Sequence, residues 1–245
     1  MIVGTWSPAS QGAESASEEL LVSFDQSRTH RVLILPALFD EANTLRRFTL
    51  SVMRALDTSG VDSALPDLAG MNESLVPMRD QSLTRWRTQL GGLVESFGAT
   101  QVLAMRGGAM LAPASLPGWR YAALDGPKLL ATLLRARVVN AREAGRSETR
   151  EALLEEGRVM GLRLAGWDFG AKMVCELENE QLAPASSHRA IDQSRLGGPG
   201  LWLRAEPDED EDQARTLADI VIADIRDAAD PSSCAGFISP LPVAA

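Results

Sequence analysis

The chain is 245 residues long and carries 24 basic and 33 acidic side chains, a formal net charge of −9. That length suits one substantial core, or a core with a small lobe, rather than several full domains. No dense basic stretch offers a footprint for a phosphate backbone, so nucleic acid and anionic membrane surfaces are poor partners. Cys175 and Cys234 are the only cysteines, too few for a disulfide framework and without neighbours spaced for zinc, which points to reduced thiols and a cytoplasmic setting. Met1 to Glu19 has no basic region followed by an apolar core, and no apolar run approaches the roughly 20 residues that span a bilayer. Residues 7–18 (SPASQGAESASE) are rich in Ser, Ala and Gly and offer little apolar surface against the entropy of ordering. Residues 1–18 are therefore expected to be a mobile arm, and 19–245 a single domain.

Leu20 to Phe24 and Arg31 to Leu35 read as strands, the second an apolar run of the kind covered on both faces. Pro36 stops it. After the loop ALFDEAN, Leu45, Phe48, Val52 and Leu56 recur at helical spacing, and Thr58-Ser59-Gly60 closes that helix. Val61 to Leu65 is a weaker strand ended by Pro66. Asp80 is placed to cap a helix whose Leu83, Trp86, Leu90, Leu93, Val94 and Phe97 share one side, with Gly98 at its end. Gln101 to Met105 gives another strand, running directly into Arg106-Gly107-Gly108 and a short helical AMLA. Tyr121 to Leu124 reads as a strand, followed by helices over Pro127 to Val139 and Arg150 to Met160. Residues 183–200 read as a loop, Leu201 to Arg204 as a short strand, and Leu217, Ile220, Val221 and Ile225 as the apolar face of a last helix. The acidic run Glu206 to Asp212 lacks the ligand alternation and glycine of a calcium loop, and carboxylates at a helix start account for it better. Strands alternating with amphipathic helices predict a mostly parallel sheet sandwiched by helices, an α/β domain.

The stretch QVLAMRGGAMLA, residues 101–112, has the form of a nucleophile elbow, in which a strand meets a tight turn of small residues and then a helix. With Gly108 as the last glycine of Gly-x-nucleophile-x-Gly, Ala104 takes the first position and Arg106 that of the nucleophile. A guanidinium stays protonated, offers only donors, and cannot attack a carbonyl.

Three blocks resemble one family, the α/β-hydrolase-like exosortase A system-associated hydrolases. PALFDEANTLRR, residues 36–47, is similar to that family's PPFAEEMNKxRR, with Pro36, Glu41, Asn43, Arg46 and Arg47 at matching positions. PDLAGMNES, residues 66–74, with Trp86 beyond it, is similar to PDLPGxGDS followed by a tryptophan. AMRGGAMLA, residues 104–112, is similar to GLRLGALLA, which itself holds arginine where serine is expected. The resemblance spans roughly residues 33–137. It implies an α/β-hydrolase-like fold, here with a reduced C-terminal half, and an association with an exopolysaccharide system, with a protein of that system as one partner. Such a frame supplies its acid after a late strand and its histidine after the last one, whereas this chain has no histidine beyond His188.

Candidate ligand-binding residues are Glu41, Asn43, Arg46, Asp67, Arg106, Gly107 and Gly108. Arg106 has two readings: an ion pair with Glu41 or Asp67 that fills the vacated pocket, or an open site for a small anion served by the guanidinium and the N–H groups of Gly107 and Gly108. Asn43 suits a helix cap as well as a ligand contact. His188 reads as a solvated loop histidine, and neither Ser74 nor Ser115 lies on a turn that would expose a nucleophile. No catalytic triad, metal site or cofactor is read from the sequence. The functional expectation is a noncatalytic or catalytically altered hydrolase-like protein. The alternatives are an active hydrolase of a small ester and a structural partner-binding module.

Overall fold

The computed structural model describes residues 1–8, 17–182, 187–204 and 206–229. Nine strands are present among them: β1 (Ile2–Trp6), β2 (Glu19–Phe24), β3 (Arg31–Leu35), β4 (Asp62–Pro66), β5 (Gln101–Met105), β6 (Gly118–Tyr121), β7 (Leu162–Leu164), β8 (Trp167–Phe169) and β9 (His188–Ile191). Seven α-helices accompany them: α1 (Asp40–Thr44), α2 (Arg46–Thr58), α3 (Leu83–Phe97), α4 (Gly126–Glu143), α5 (Arg150–Met160), α6 (Ala171–Asn179) and α7 (Glu211–Ala229). The main sheet has seven strands in the order β1-β2-β4-β3-β5-β6-β9, and β7 with β8 forms a separate hairpin. The β1/β2 and β2/β4 pairs are antiparallel, and every later pair is parallel.

The sandwich follows from the alternation of strand side chains. On β3, Leu33 and Leu35 enter one core with Trp86, Leu90 and Leu134, while Val32 and Ile34 enter the other with Phe48, Val52 and Val221. Helices α3 and α4 cover the first face, α2 and α7 the second. This is the mostly parallel, helix-covered α/β architecture that the strand and helix alternation implies. The reduced C-terminal half is visible too. After β6 only β9 joins the main sheet among the described residues, and α4, α5, the β7–β8 hairpin and α6 lie between them in sequence.

Several expectations are corrected. Ile2 to Trp6, assigned to the arm, pairs with β2, because Trp6 buries its ring and donates its indole N–H to the Asp67 carbonyl at 3.1 Å. Residues 9–16 lie outside the described residues. Ser82, not Asp80, caps α3, accepting the Arg85 N–H at 3.1 Å, while Met78–Asp80 forms a 3₁₀ turn before it. The strand expected at 121–124 lies at 118–121, where Gly118 has its carbonyl neighbour on Val102 so close that no side chain would fit. Leu201 to Leu203 is a 3₁₀ turn rather than a strand. The late strand is β9 instead, within the stretch expected to be a loop and registered residue for residue against β6. The β7–β8 hairpin and α6 went unread because Leu162-Arg163-Leu164 and Trp167-Asp168-Phe169 are too short for a period to declare itself. The carboxylates of Glu211 and Asp212 do stand in the first turn of α7.

Trp86 is fully buried and its indole N–H donates to the Ala69 carbonyl at 2.9 Å. Trp86→Ala should lower the unfolding free energy by roughly 3–5 kcal/mol in urea denaturation. A loss under about 1 kcal/mol would show that α3 is not anchored through this ring.

Candidate functional site

The candidate residues meet at the carboxyl ends of the parallel strands, where open α/β sheets place their ligands. Pro36 to Phe39 and α1 follow β3, Asp67 follows β4, Arg106 follows β5 and Ala122 follows β6. Gly108 explains why the turn after β5 needs small residues. A Cβ there would lie 2.3 Å from the Pro36 carbonyl oxygen and 2.7 Å from that of Leu35. Arg106 itself takes φ +50°, in the left-handed region, and so do Phe39 at +59° and Ala122 at +44°. Each such non-glycine residue costs on the order of 1–2 kcal/mol, and strain of this kind concentrates at functional turns. The strand thus runs directly into a tight turn with Arg106 at its left-handed position.

Each of the three guanidinium nitrogens of Arg106 has a partner. Its Nε donates to Glu41 Oε2 at 3.0 Å, its Nη2 to Glu41 Oε1 at 2.9 Å, and its Nη1 to the Ala122 carbonyl at 2.9 Å. The guanidinium plane also stacks on the Trp202 ring, with the central carbon 4.0 Å from the ring centroid. The two-point fork matches a carboxylate closely. Of the two readings of Arg106, the ion pair is the one observed, and its partner is Glu41. Asp67 instead accepts from Arg46 Nη1 at 2.7 Å. The site residues thus satisfy one another. Beside the Arg46–Asp67 pair, a cavity lined by Pro36, Ala37, Leu45 and Met71 measures about 10 Å³, room for no more than one water.

Gly107 and Gly108 are buried within the turn, and a Cβ on Gly107 would crowd Leu38 at 3.2 Å and Leu129 at 3.3 Å. Asn43 is exposed on α1 and makes no side-chain cap, and Arg47 reaches Glu209 on the surface. Three participants carried no sequence signal. Trp202 arrives from a 3₁₀ turn over 90 residues away from Arg106 in sequence, Ala122 contributes only a carbonyl, and Tyr121 supports Trp202 edge-on at 6.0 Å. Burial pushes the Tyr121 phenol well above its usual range. Its hydroxyl therefore stays protonated and hydrogen-bonds to the Gln193 side-chain oxygen. It is no base at neutral pH.

His188 is corrected from a solvated loop residue to a buried one on β9. Burial lowers its pKa, with the Arg120 charge adding to the shift, so the ring is neutral. Its register partner Gly118 stands beside Val102, four residues before Arg106. That is roughly 13 Å back along the strand direction, out of reach of the elbow. Ser115 lies at that same far end, exposed before β6. Ser74 is a structural hydroxyl: it accepts the Gly70 N–H at 2.8 Å and donates to Glu19 Oε1 at 2.9 Å. Asp192 follows β9, where such frames carry their acid, but no histidine among the described residues stands near it.

No protein-family model matches the chain, and no curated protein sequence matches it. Solved structures do match. Mouse alpha/beta hydrolase domain-containing protein 10 superposes with a TM-score of 0.57 at 13% identity, over 93% of this chain and 100% of that one. Est1E from Butyrivibrio proteoclasticus, seen with ferulic acid bound, superposes with a TM-score of 0.51 at 12% identity, over 86% of this chain and 97% of that one. The fold is that of the α/β hydrolases. Arg106 stands in the turn after β5, with Glu41 of α1 and the ring of Trp202 against its guanidinium.

Arg106→Ala should leave Glu41 without its partner and lower stability by about 2–4 kcal/mol, somewhat under the cost for a fully buried pair because both side chains keep some solvent contact. The left-handed strain at 106 would remain, since alanine has a Cβ. Sulfate or phosphate should shift the melting temperature of wild type and variant alike, because Glu41 already holds the guanidinium face that an anion would need. A selective shift of the wild type in thermal melts would restore the open-site reading.

Proposed function

We propose that this chain is a noncatalytic α/β-hydrolase-like protein that works through contact with a partner rather than through acyl transfer. The observation that carries the reading is Arg106 at the elbow, held by Glu41, the Ala122 carbonyl and the Trp202 ring. Acyl transfer needs an activated nucleophile, a base within hydrogen-bond reach of it, and donors aimed at the developing oxyanion. Here the nucleophile position is a cation, and the neutral His188 is remote. The approach is blocked by an ion pair whose loss is costly. The resemblance of residues 36–47, 66–74 and 104–112 to exosortase A system-associated hydrolases extends the proposal. The protein would act in the cytoplasm alongside an exopolysaccharide-linked exosortase system, with one of its proteins as the partner. A small anion as ligand is the weaker form of this proposal, since the two-point fork of Arg106 is already taken by Glu41.

A fluorophosphonate probe and nitrophenyl esters of short acids test the noncatalytic reading. The purified protein should remain unlabelled by intact-mass measurement and leave the esters at the background rate. Arg106→Ser should add no esterase activity, because restoring a hydroxyl supplies no base. Stoichiometric labelling of a serine in the wild-type chain would show that a hydrolase survives here.

A further inference from the structure

Strand β1 closes one end of the main sheet, and among the described residues nothing pairs with its outer edge. Open edges in natural sheets are blunted by charge, proline, a bulge or brevity. This one is not. Residues 1–6 read MIVGTW without a charged side chain or a proline, all five residues of the strand pair with β2 without interruption, and Ile2 and Val3 are 55% and 61% exposed. Gly4 stands at the centre of the strand. Its backbone is not in the left-handed region, and a Cβ placed on it would meet nothing within 4 Å. Strand side chains stand perpendicular to the sheet, so the backbone groups of the edge stay open whichever residue occupies this position.

We propose that β1 pairs antiparallel with β1 of a second copy about a two-fold axis through Gly4, joining the two main sheets edge to edge. The strand is its own complement in this register. All five residues pair: Ile2 faces Trp6 of the partner subunit, Val3 faces Thr5 of the partner subunit, and the two glycines meet on the axis. Ile2, Gly4 and Trp6 share one face by the two-residue period of a strand. Trp6 is already built into the core on that face, with Leu33, Leu35 and Leu68. The exposed Ile2 would therefore come to lie against a fixed, buried ring, a β-branched and aromatic cross-strand pair of the favourable kind. An isologous contact of this sort closes on itself as a dimer and does not propagate. A different protein's strand would need to match length, neutrality and register independently, whereas a second copy does so by construction.

Light scattering coupled to gel filtration reads the outcome, with far-UV circular dichroism to confirm folding. The untagged protein should run at twice its 26.3 kDa chain mass. Combining Val3→Lys with Thr5→Lys sets like charges opposite one another in both cross-strand pairs and should give a folded monomer. Combining Val3→Lys with Thr5→Glu sets opposite charges across the same pairs and should keep the dimer. That rescue depends on the stated register and on no general property of a charged edge. A wild type that stays monomeric up to its solubility limit overturns the proposal, whether or not another protein's strand binds the edge. A dimer that persists in the doubly lysine-substituted chain overturns it too, by placing the contact elsewhere. Loss of the dimer in both variants, with folding intact, would rule out the register.

Discussion

The top of the sheet is organised around one guanidinium. Arg106 leaves β5 in a strained turn and reaches Glu41 on α1, the carbonyl of Ala122 after β6, and the ring of Trp202 from the segment before α7. Four pieces of chain distant in sequence are joined at one side chain that is only 12% exposed. A cation in such a place must be answered by acceptors, since an unpaired buried charge is costly. The positions of α1, the β6 exit and the 201–203 turn can be understood as meeting that demand.

Strain and pairing support one another here. Phe39, Arg106 and Ala122 all hold left-handed backbones, a cost that persists only where the surroundings over-determine the conformation. Gly108 brings the elbow against the end of β3 so closely that no other residue would fit. The small residues fix the turn, and Arg106 decides what the turn presents. The site presents a bidentate ion pair against an indole ring.

The reduced C-terminal half fits the same picture. The segment between β6 and β9 builds α4, α5, α6 and a hairpin whose Phe169 packs edge-on against Phe39 at 4.7 Å, while Trp167 donates its indole N–H to Asp40 at 2.9 Å. These contacts brace the loop that carries Glu41 from the other side. Gln193 performs a similar service after β9, accepting from Tyr121 and donating to the Gly197 and Gly198 carbonyls and to Gln213. Regions with weak sequence periodicity thus hold the most specific part of the structure in place.

The sequence by itself determined the parallel α/β frame, because β3 and β5 are apolar runs and α2 and α3 carry their apolar residues on one face, and these are local periodicities. It also determined that the elbow carries a cation, since the strand, the two glycines and Arg106 are contiguous. It left open whether Glu41 or Asp67 or an outside anion answers that cation. The choice depends on where loops 65 residues and 39 residues away are placed, and side-chain type cannot distinguish two carboxylates. The tertiary structure decided for Glu41, gave Asp67 to Arg46, and brought in Trp202, whose tryptophan in a glycine-rich stretch had no period to announce it. It also moved His188 from solvent to a buried strand. The four residues HRAI pair with β6 because the open edge of that strand needs a partner, a requirement that exists only once the sheet has formed.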